Sequence, residues 1–519
     1  VDITDSVPNT SDASPPAPGR DRPAPADAVD AAPGSPAAPD ARSPWVALTV
    51  VCVAQFMITL DATVVNVAAP AIQKSLHFAP GNLQWIINAY TLFSGGFLLL
   101  GGRTGDLVGR RRVFSAGVFL FTAASLLNGV APNAGVLIFG RGLQGLGAAF
   151  ASPAALAVLM TAFPGTRERT KALAVWSTIA VSGGAVGVLL GGMLTDLLSW
   201  RWTFFINLPI GVLTLLATTR FVPASRGEGR ARGFDAAGAV SVTGGCVLLV
   251  YWIVQAPTWG WGSAKTLGVG AAALVILAAF GLIERRSSAP LVRFELFRVR
   301  AVSIGNGALF LFGGAAFALF FFASLYLQEV MAYSPLRAGV AFLPVFVSSV
   351  LGAGVAQQLV RRIGPRAVAL LGLAVCVVGM LMLARIPVHG SYTHDLLVEL
   401  ILISLGMGIA TVPLILLSTT GVREDLSGLA SGVNNMSQNI GRALGLAILS
   451  SIATSHAANV LRGHPHATSA ATAAQVSGYH WGFVGSAILI LGSMAVVGGF
   501  LRGADLAALD ETAAAPSAA

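Results

Sequence analysis

The sequence predicts an all-α integral membrane protein that crosses the bilayer fourteen times. Three observations carry that prediction. Fourteen apolar stretches fill the chain from about Trp45 to Arg502, each near the roughly 20 residues that span a hydrocarbon core about 30 Å thick. Of 519 residues, 55% are hydrophobic and only 11% charged, with a mean hydropathy of +0.75. So few charges cannot cover a soluble surface of this size. The basic residues alternate between segments as a membrane orientation requires. With both ends inside, 24 of the 32 Lys and Arg fall in cytoplasmic segments, six fall outside, and Arg141 and Arg442 lie within spans. That bias is a positive-inside signal, and it accounts for the net charge of +9 without a nucleic-acid partner.

Residues 1–44 hold ten prolines and almost no large apolar side chain. Such a stretch buries too little surface to offset its ordering entropy, so a disordered cytoplasmic tail is expected there and again over 503–519. Between them the spans are placed at 45–68, 83–102, 113–131, 136–160, 172–194, 203–222, 235–256, 266–284, 302–328, 338–360, 366–386, 396–418, 430–455 and 481–501. GGRTGDLVGRRR (Gly101 to Arg112) follows the second span and GVAQQLVRRIGPR (Gly354 to Arg366) the tenth. That weak repeat divides the chain into a six-helix bundle at 45–222, an inserted pair with its linker at 223–300, and a second six-helix bundle at 301–502. Two related halves around a central path form a transporter architecture.

The first span contains a carboxylate, Asp61 in LDATVVNVAAP. It lies nine residues before Pro70, about 13 Å below the outer boundary by helical rise. Arg141, eight residues after Asn133 in the fourth span, reaches a depth of about 12 Å. Opposite charges at one depth are what pairing requires, and an unpaired charge there is costly. A protonated Asp61 can part from Arg141, while the guanidinium favours the charged carboxylate. That predicts proton coupling; a static pair that fixes helix packing is the alternative.

Other features have narrower roles. Gly102 and Gly109 allow a tight turn in which Asp106 accepts bonds from Arg110, Arg111 or a neighbouring helix end. Gly183, Gly187 and Gly191, with Gly192, give the fifth span a small face for close packing or for sealing the path. Trp200, Arg201 and Trp202 read as an outer-interface anchor, with Asn207 and Pro209 at a bend beyond it. Glu329 and Glu399 are expected to be wetted near outer span ends. Asn66, Gln144, Phe317, Phe321, Tyr326 and Arg442 are candidate cavity residues, Arg442 either facing the cavity or snorkelling. Cys52, Cys246 and Cys376 read as core residues, and no metal site or cofactor is expected. Three lysines stand against twenty-nine arginines, which suggests a GC-rich bacterial source.

On these motifs the sequence resembles the fourteen-span drug:proton antiporter branch of the major facilitator superfamily (the QacA/EmrB-like group). LDATVVNVAAP resembles its first-helix motif, GRTGDLVGRR its cytoplasmic loop motif, and FGRGLQGLGAAFASP its fourth-helix motif, with Arg141 at the basic position. WRWTFFINLPIG and PLVRFELFR are also typical of the branch. The resemblance implies rocking alternating access, proton-driven export of lipophilic drugs, proton handling near Asp61 and Arg141, and gating by Asp106 with Arg110 and Arg111. Two positions depart from it. Val188 stands where the fifth-helix motif carries proline, and Arg361 stands where the later loop would repeat Asp106.

The expected function is therefore proton-coupled export of amphipathic small molecules through a cell membrane, by a monomer. No Walker loop, HExxH or nucleophile elbow points to an enzyme. A proton-linked importer of a metabolite and a non-transporting scaffold or sensor remain as alternatives. Few acidic residues in the spans weigh against dications.

Overall fold

A backbone in hydrocarbon must satisfy its own polar groups, and a helix does so within one segment. In a computed structural model, which describes residues 44–501 except 80–81, 164, 224–234, 288–289, 423–425 and 464–469, every regular element is helical. The expected tails over 1–44 and 503–519 lie outside the described residues except for Pro44, which begins the first helix; Arg226, Arg230, Arg232, Arg423, Arg502, His464 and His466 also lie outside them.

The helices are α1 (Pro44–Leu76), α2 (Trp85–Val108), α3 (Arg110–Gly129), α4 (Ala134–Ala162), α5 (Thr166–Leu197) and α6 (Trp202–Phe221). They continue with α7 (Ala236–Trp259), α8 (Ala264–Arg286), α9 (Arg300–Val330), α10 (Pro335–Leu383), α11 (Leu397–Thr419), α12 (Ser427–Gly463) and α13 (Ala470–Phe500). Among the described residues these are thirteen helices long and apolar enough to cross a membrane, against fourteen expected spans. The difference sits in α10, a 49-residue segment whose helix leaves helical geometry at Gly364 (φ 79°, ψ 161°), followed by Pro365. Glycine reaches that left-handed φ without a Cβ clash, and proline cannot continue the preceding hydrogen-bond ladder.

Two sets of helices pack internally. In the first, α4 lies against α2 and α3, and α1 against α4, α5 and α6. In the second, α9 packs on α12 and α13, and α10 on α11 and α13. Helix α7 touches both α2 and α12, whereas α8 packs on α7.

The sets meet along two seams. At the α2–α12 seam, Gln84 and Ser450 are hydrogen-bonded, a Cβ on Gly95 would strike Asn439, and one on Gly432 would strike Leu99. Those contacts are spread over residues 84–99 on the α2 side and 432–450 on the α12 side. At the α5–α10 seam the contacts gather toward the Trp200 end: a Cβ on Gly192 would lie 2.5 Å from the Pro335 carbonyl oxygen, and one on Gly339 2.8 Å from that of Val188. Small residues permit this approach of backbones.

At the Trp200 end α1 is also fastened to α9. Ser324 donates to the Asn66 carbonyl at 2.9 Å, and Gln328 to the Val67 carbonyl at 3.0 Å. From Val64 to Pro70 every residue of α1 is buried. Toward the Gly109 end, polar side chains become accessible: Gln55, Thr59 and Thr63 on α1 are half-buried, and Ser431 and Asn435 on α12 are exposed. The interior is thus reachable from the Gly109 end and sealed at the other.

Candidate functional site: a buried carboxylate in a shell of donors

Asp61 is fully buried between α1, α3, α4 and α6. Its Oδ2 receives Arg141 Nη1 at 2.5 Å. Its Oδ1 receives Gln144 Nε2 and Asn207 Nδ2, each at 2.8 Å. Every neighbour within hydrogen-bond reach is a donor, the complement of an ionised carboxylate, which only accepts.

The surrounding groups fix those donors. Arg141 spends Nε on the Ile86 carbonyl at 2.9 Å, and its guanidinium lies 4.4 Å from the Tyr90 ring centroid. Planar donors on several edges let one arginine hold a carbonyl, a carboxylate and an aromatic face together. Gln144 accepts from Arg141 at 2.9 Å and Asn128 at 2.7 Å, and donates to Ser125 Oγ at 2.6 Å. Ser125 in turn donates to the Phe121 carbonyl at 2.9 Å. Two amide oxygens remain without partners, Asn128 Oδ1 and Asn207 Oδ1.

The structure thus brings Asp61 and Arg141 together as their depths predict. It adds Asn207, Ser125 and Asn128. The sequence reading left Asn207 at a bend beside an interface anchor and passed over the other two. Their signal was weak: each is an uncharged polar residue in an apolar span, and such residues often bond their own backbone. Gln144 belongs to this cluster and not to a cavity, because Arg141 and Asp61 hold both ends of its amide.

Other expected residues fall differently. Gly102 lies inside α2, and the chain turns at Gly109 alone, where φ is 108°. Asp106 and Arg110 form an exposed pair at 3.5 Å, while Arg110 and Arg111 donate to the carbonyls of Ala157 and Thr219 at 3.4 and 2.7 Å. This loop therefore fastens α3 to α4 and α6.

Gly183, Gly187 and Gly191 face α1: a Cβ on Gly187 would lie 2.2 Å from Thr63 Oγ1 and 2.7 Å from the Leu60 carbonyl oxygen. Gly184 and Gly192 face α10 instead. Helix α5 runs without a break through Val188, so no proline bend is present.

Phe321 and Tyr326 are buried and are not cavity residues. Phe321 packs edge-on against Phe322, and Tyr326 donates to the Pro387 carbonyl at 2.6 Å. Phe317 is half-buried against the core, and Asn66 is buried in the α1–α9 fastening. Glu399 is 8% exposed and not wetted. Glu329 is half-buried and accepts from Tyr479 at 3.0 Å.

A cavity of about 260 Å³ does open between the two sets, lined by Gly184, Phe320, Phe346, Ser349, Ser404 and Met407. Ser404 Oγ has no partner there. Arg442 is half-buried on α12, with its guanidinium 3.3 Å from Asn439 Oδ1 and 3.4 Å from Gln438 Oε1.

Residues 51–446 match the Major Facilitator Superfamily model. The chain is 39% identical over 485 residues to the puromycin resistance protein pur8 of Streptomyces alboniger, covering 92% of this chain and 95% of that protein. It is 37% identical over 449 residues to the cephamycin export protein CmcT of Amycolatopsis lactamdurans, covering 86% and 90%. Among solved structures, a bacterial homologue of the human lysosomal transporter Spinster, inward-facing and unoccupied, superposes with a TM-score of 0.64 at 16% identity, covering 90% and 97%. That likeness is one of fold.

Proposed function

We propose a function on the premise that the chain belongs to the Major Facilitator Superfamily and is a multi-pass membrane protein. It is a proton-coupled exporter of amphipathic small molecules, of the fourteen-span drug:proton antiporter type. Relatives named for antibiotic resistance and export support the substrate class and direction. Counting the two arms of α10 about Gly364 as separate crossings gives fourteen spans, with both termini on the cytoplasmic side. The two packed sets are then the rocking bundles, 45–222 and 301–502, with 223–300 inserted between them. The Gly109 end faces the cytoplasm, and the protein acts as a monomer in the cell membrane of a bacterium with a GC-rich genome.

The observation that carries proton coupling is the all-donor shell around Asp61. Protonation removes the charge that these donors stabilise and adds an O–H for which the shell offers no acceptor, so the contacts weaken. Asn207 offers the relief. Its Oδ1 has no partner, and turning the amide over presents that oxygen to the Asp61 hydroxyl. The proton-bound state thereby weakens the hold of α1 on α4 and α6, and α1 is the helix fastened to α9 at the sealed end.

Asp61→Asn keeps one oxygen acceptor and the side-chain volume but carries no exchangeable charge. In inverted vesicles it is expected to insert normally and to lose pH-gradient-driven efflux of dyes. Undiminished gradient-driven efflux by that variant refutes the role of Asp61. Protection of a host by the wild type against a panel of antibiotics separates an exporter from an importer.

A further inference from the structure

A second interior cation stands outside the proton site. Among the described residues the ion pairs are Asp61–Arg141 and Asp106–Arg110, so Arg442 has no carboxylate. Its bonded acceptors are two neutral amides on its own helix. Fifteen residues from the start of α12, it lies about 22 Å along the helix, near mid-span. A charge held there without a counter-ion is costly and marks a pathway more often than a packing contact.

Its place on α12 shows what it faces. Ser431 and Asn435 are exposed, and Gln438, Asn439 and Arg442 are half-buried. They lie at spacings of four, seven, eight and eleven residues, one helical stripe. The next positions on that stripe, Leu446 and Leu449, are 0% and 2% exposed. The polar stripe therefore rises from the Gly109 end and stops at Arg442.

Across from it stands Gly313 of α9, where an added Cβ would lie 3.6 Å from Arg442 Cγ. Gly313, Phe317 and Phe320 share one face of α9, and the Phe320 ring meets that of Phe346 at a tilt, 6.0 Å between centroids, in the cavity wall. Seven residues of helix separate the cation from the aromatic cavity by about 10 Å, the length of a two-ring amphiphile.

Resting on the exporter reading, we propose that Arg442 is a head-group subsite and that the transported class includes amphipathic monoanions. The anionic group pairs with Arg442, and the apolar body lies over Phe317 toward Phe320 and Phe346. Asp61 and Arg141 offset each other, whereas Arg442 has no ion-pair partner among the described residues, and a bare cation at that position disfavours lipophilic cations there.

The test uses the full chain in nanodiscs and two probes of one skeleton. One is 1-anilinonaphthalene-8-sulfonate, an anion; the other is N-phenyl-1-naphthylamine, which lacks the sulfonate. Equilibrium binding is read by fluorescence in wild type, Arg442→Gln and Arg442→Lys. Arg442→Gln is expected to weaken the sulfonate about tenfold or more and the neutral amine less than about twofold. Arg442→Lys is expected to keep most of the sulfonate affinity and to confirm the fold. Sulfonate binding indifferent to Arg442, or an equal loss for both probes, overturns the subsite. Gradient-driven transport of the neutral probe, measured after the same protein is reconstituted into sealed vesicles, reads the exporter assignment independently. If it proceeds while sulfonate binding ignores Arg442, the subsite fails and the exporter stands; if neither probe is transported, the exporter itself fails.

Discussion

Ser324 Oγ donates to the Asn66 carbonyl across 258 residues of sequence, and with it α9 holds α1 shut at the Trp200 end. The next contact, from Gln328 to the Val67 carbonyl, extends the closure by one position. Neither bond involves a charge, so each contributes on the order of 1 kcal/mol. A seal of that strength suits a contact that must part in every cycle.

If the seal opens during transport, cysteines at both positions should trap it. Asn66→Cys combined with Ser324→Cys is expected to form a disulfide under oxidant, stop efflux and regain it with reductant. Cross-linking that leaves efflux untouched would show that this contact does not open.

Arg141→Lys tests the fork. Lysine keeps the charge but cannot hold the Ile86 carbonyl, Gln144 and Asp61 in one plane. Gradient-driven efflux is expected to fall by about tenfold or more with membrane insertion unchanged. Wild-type rates would mean that a point charge suffices.

Asn207→Leu removes one of three donors to the carboxylate. Gradient-driven efflux is expected to fall by about tenfold or more, by contrast with Thr214→Val, a change further along the same helix whose hydroxyl bonds only the Ile210 carbonyl. Wild-type efflux discards Asn207 as a positioning residue.

Gly187→Ala is expected to destabilise the protein by about 1–3 kcal/mol, since its methyl would meet Thr63 and the α1 backbone. Gly244→Ala on α7 meets nothing within 4 Å and serves as the reference. Thermal unfolding in detergent reads both. Equal midpoints would mean that α1 and α5 can separate at no cost.

The sequence made the helices, and the meeting of Asp61 with Arg141, legible for the same reason. Charges are so rare in apolar spans that depth alone pairs them. The remainder of the shell was hidden because depth does not say which face a residue occupies. Asn207 and Phe321 both sit well inside their spans, yet one bonds the carboxylate and the other packs on Phe322. Spans that are apolar on most sides carry little record of which side meets protein. Gly102 and Gly109 look alike as turn formers, but the chain bends only where φ must be positive. Charge placement counts fourteen spans where the described residues form thirteen long apolar helices, and the two counts part at Gly364, which joins two arms within one long segment.

The unequal seams dictate how such a molecule can move. Helix α7 bridges α2 and α12, with Ser451 donating to the Ile253 carbonyl and Thr243 lodged against Gly96. Parting α2 from α12 would strip α7 from one of them. The α5–α10 side carries no such strap, and its contacts are gathered at one extremity. The α2–α12 side, cross-braced by α7, is thus the stiffer seam, and the α5–α10 side is the one whose contacts a tilt of one set against the other would part first.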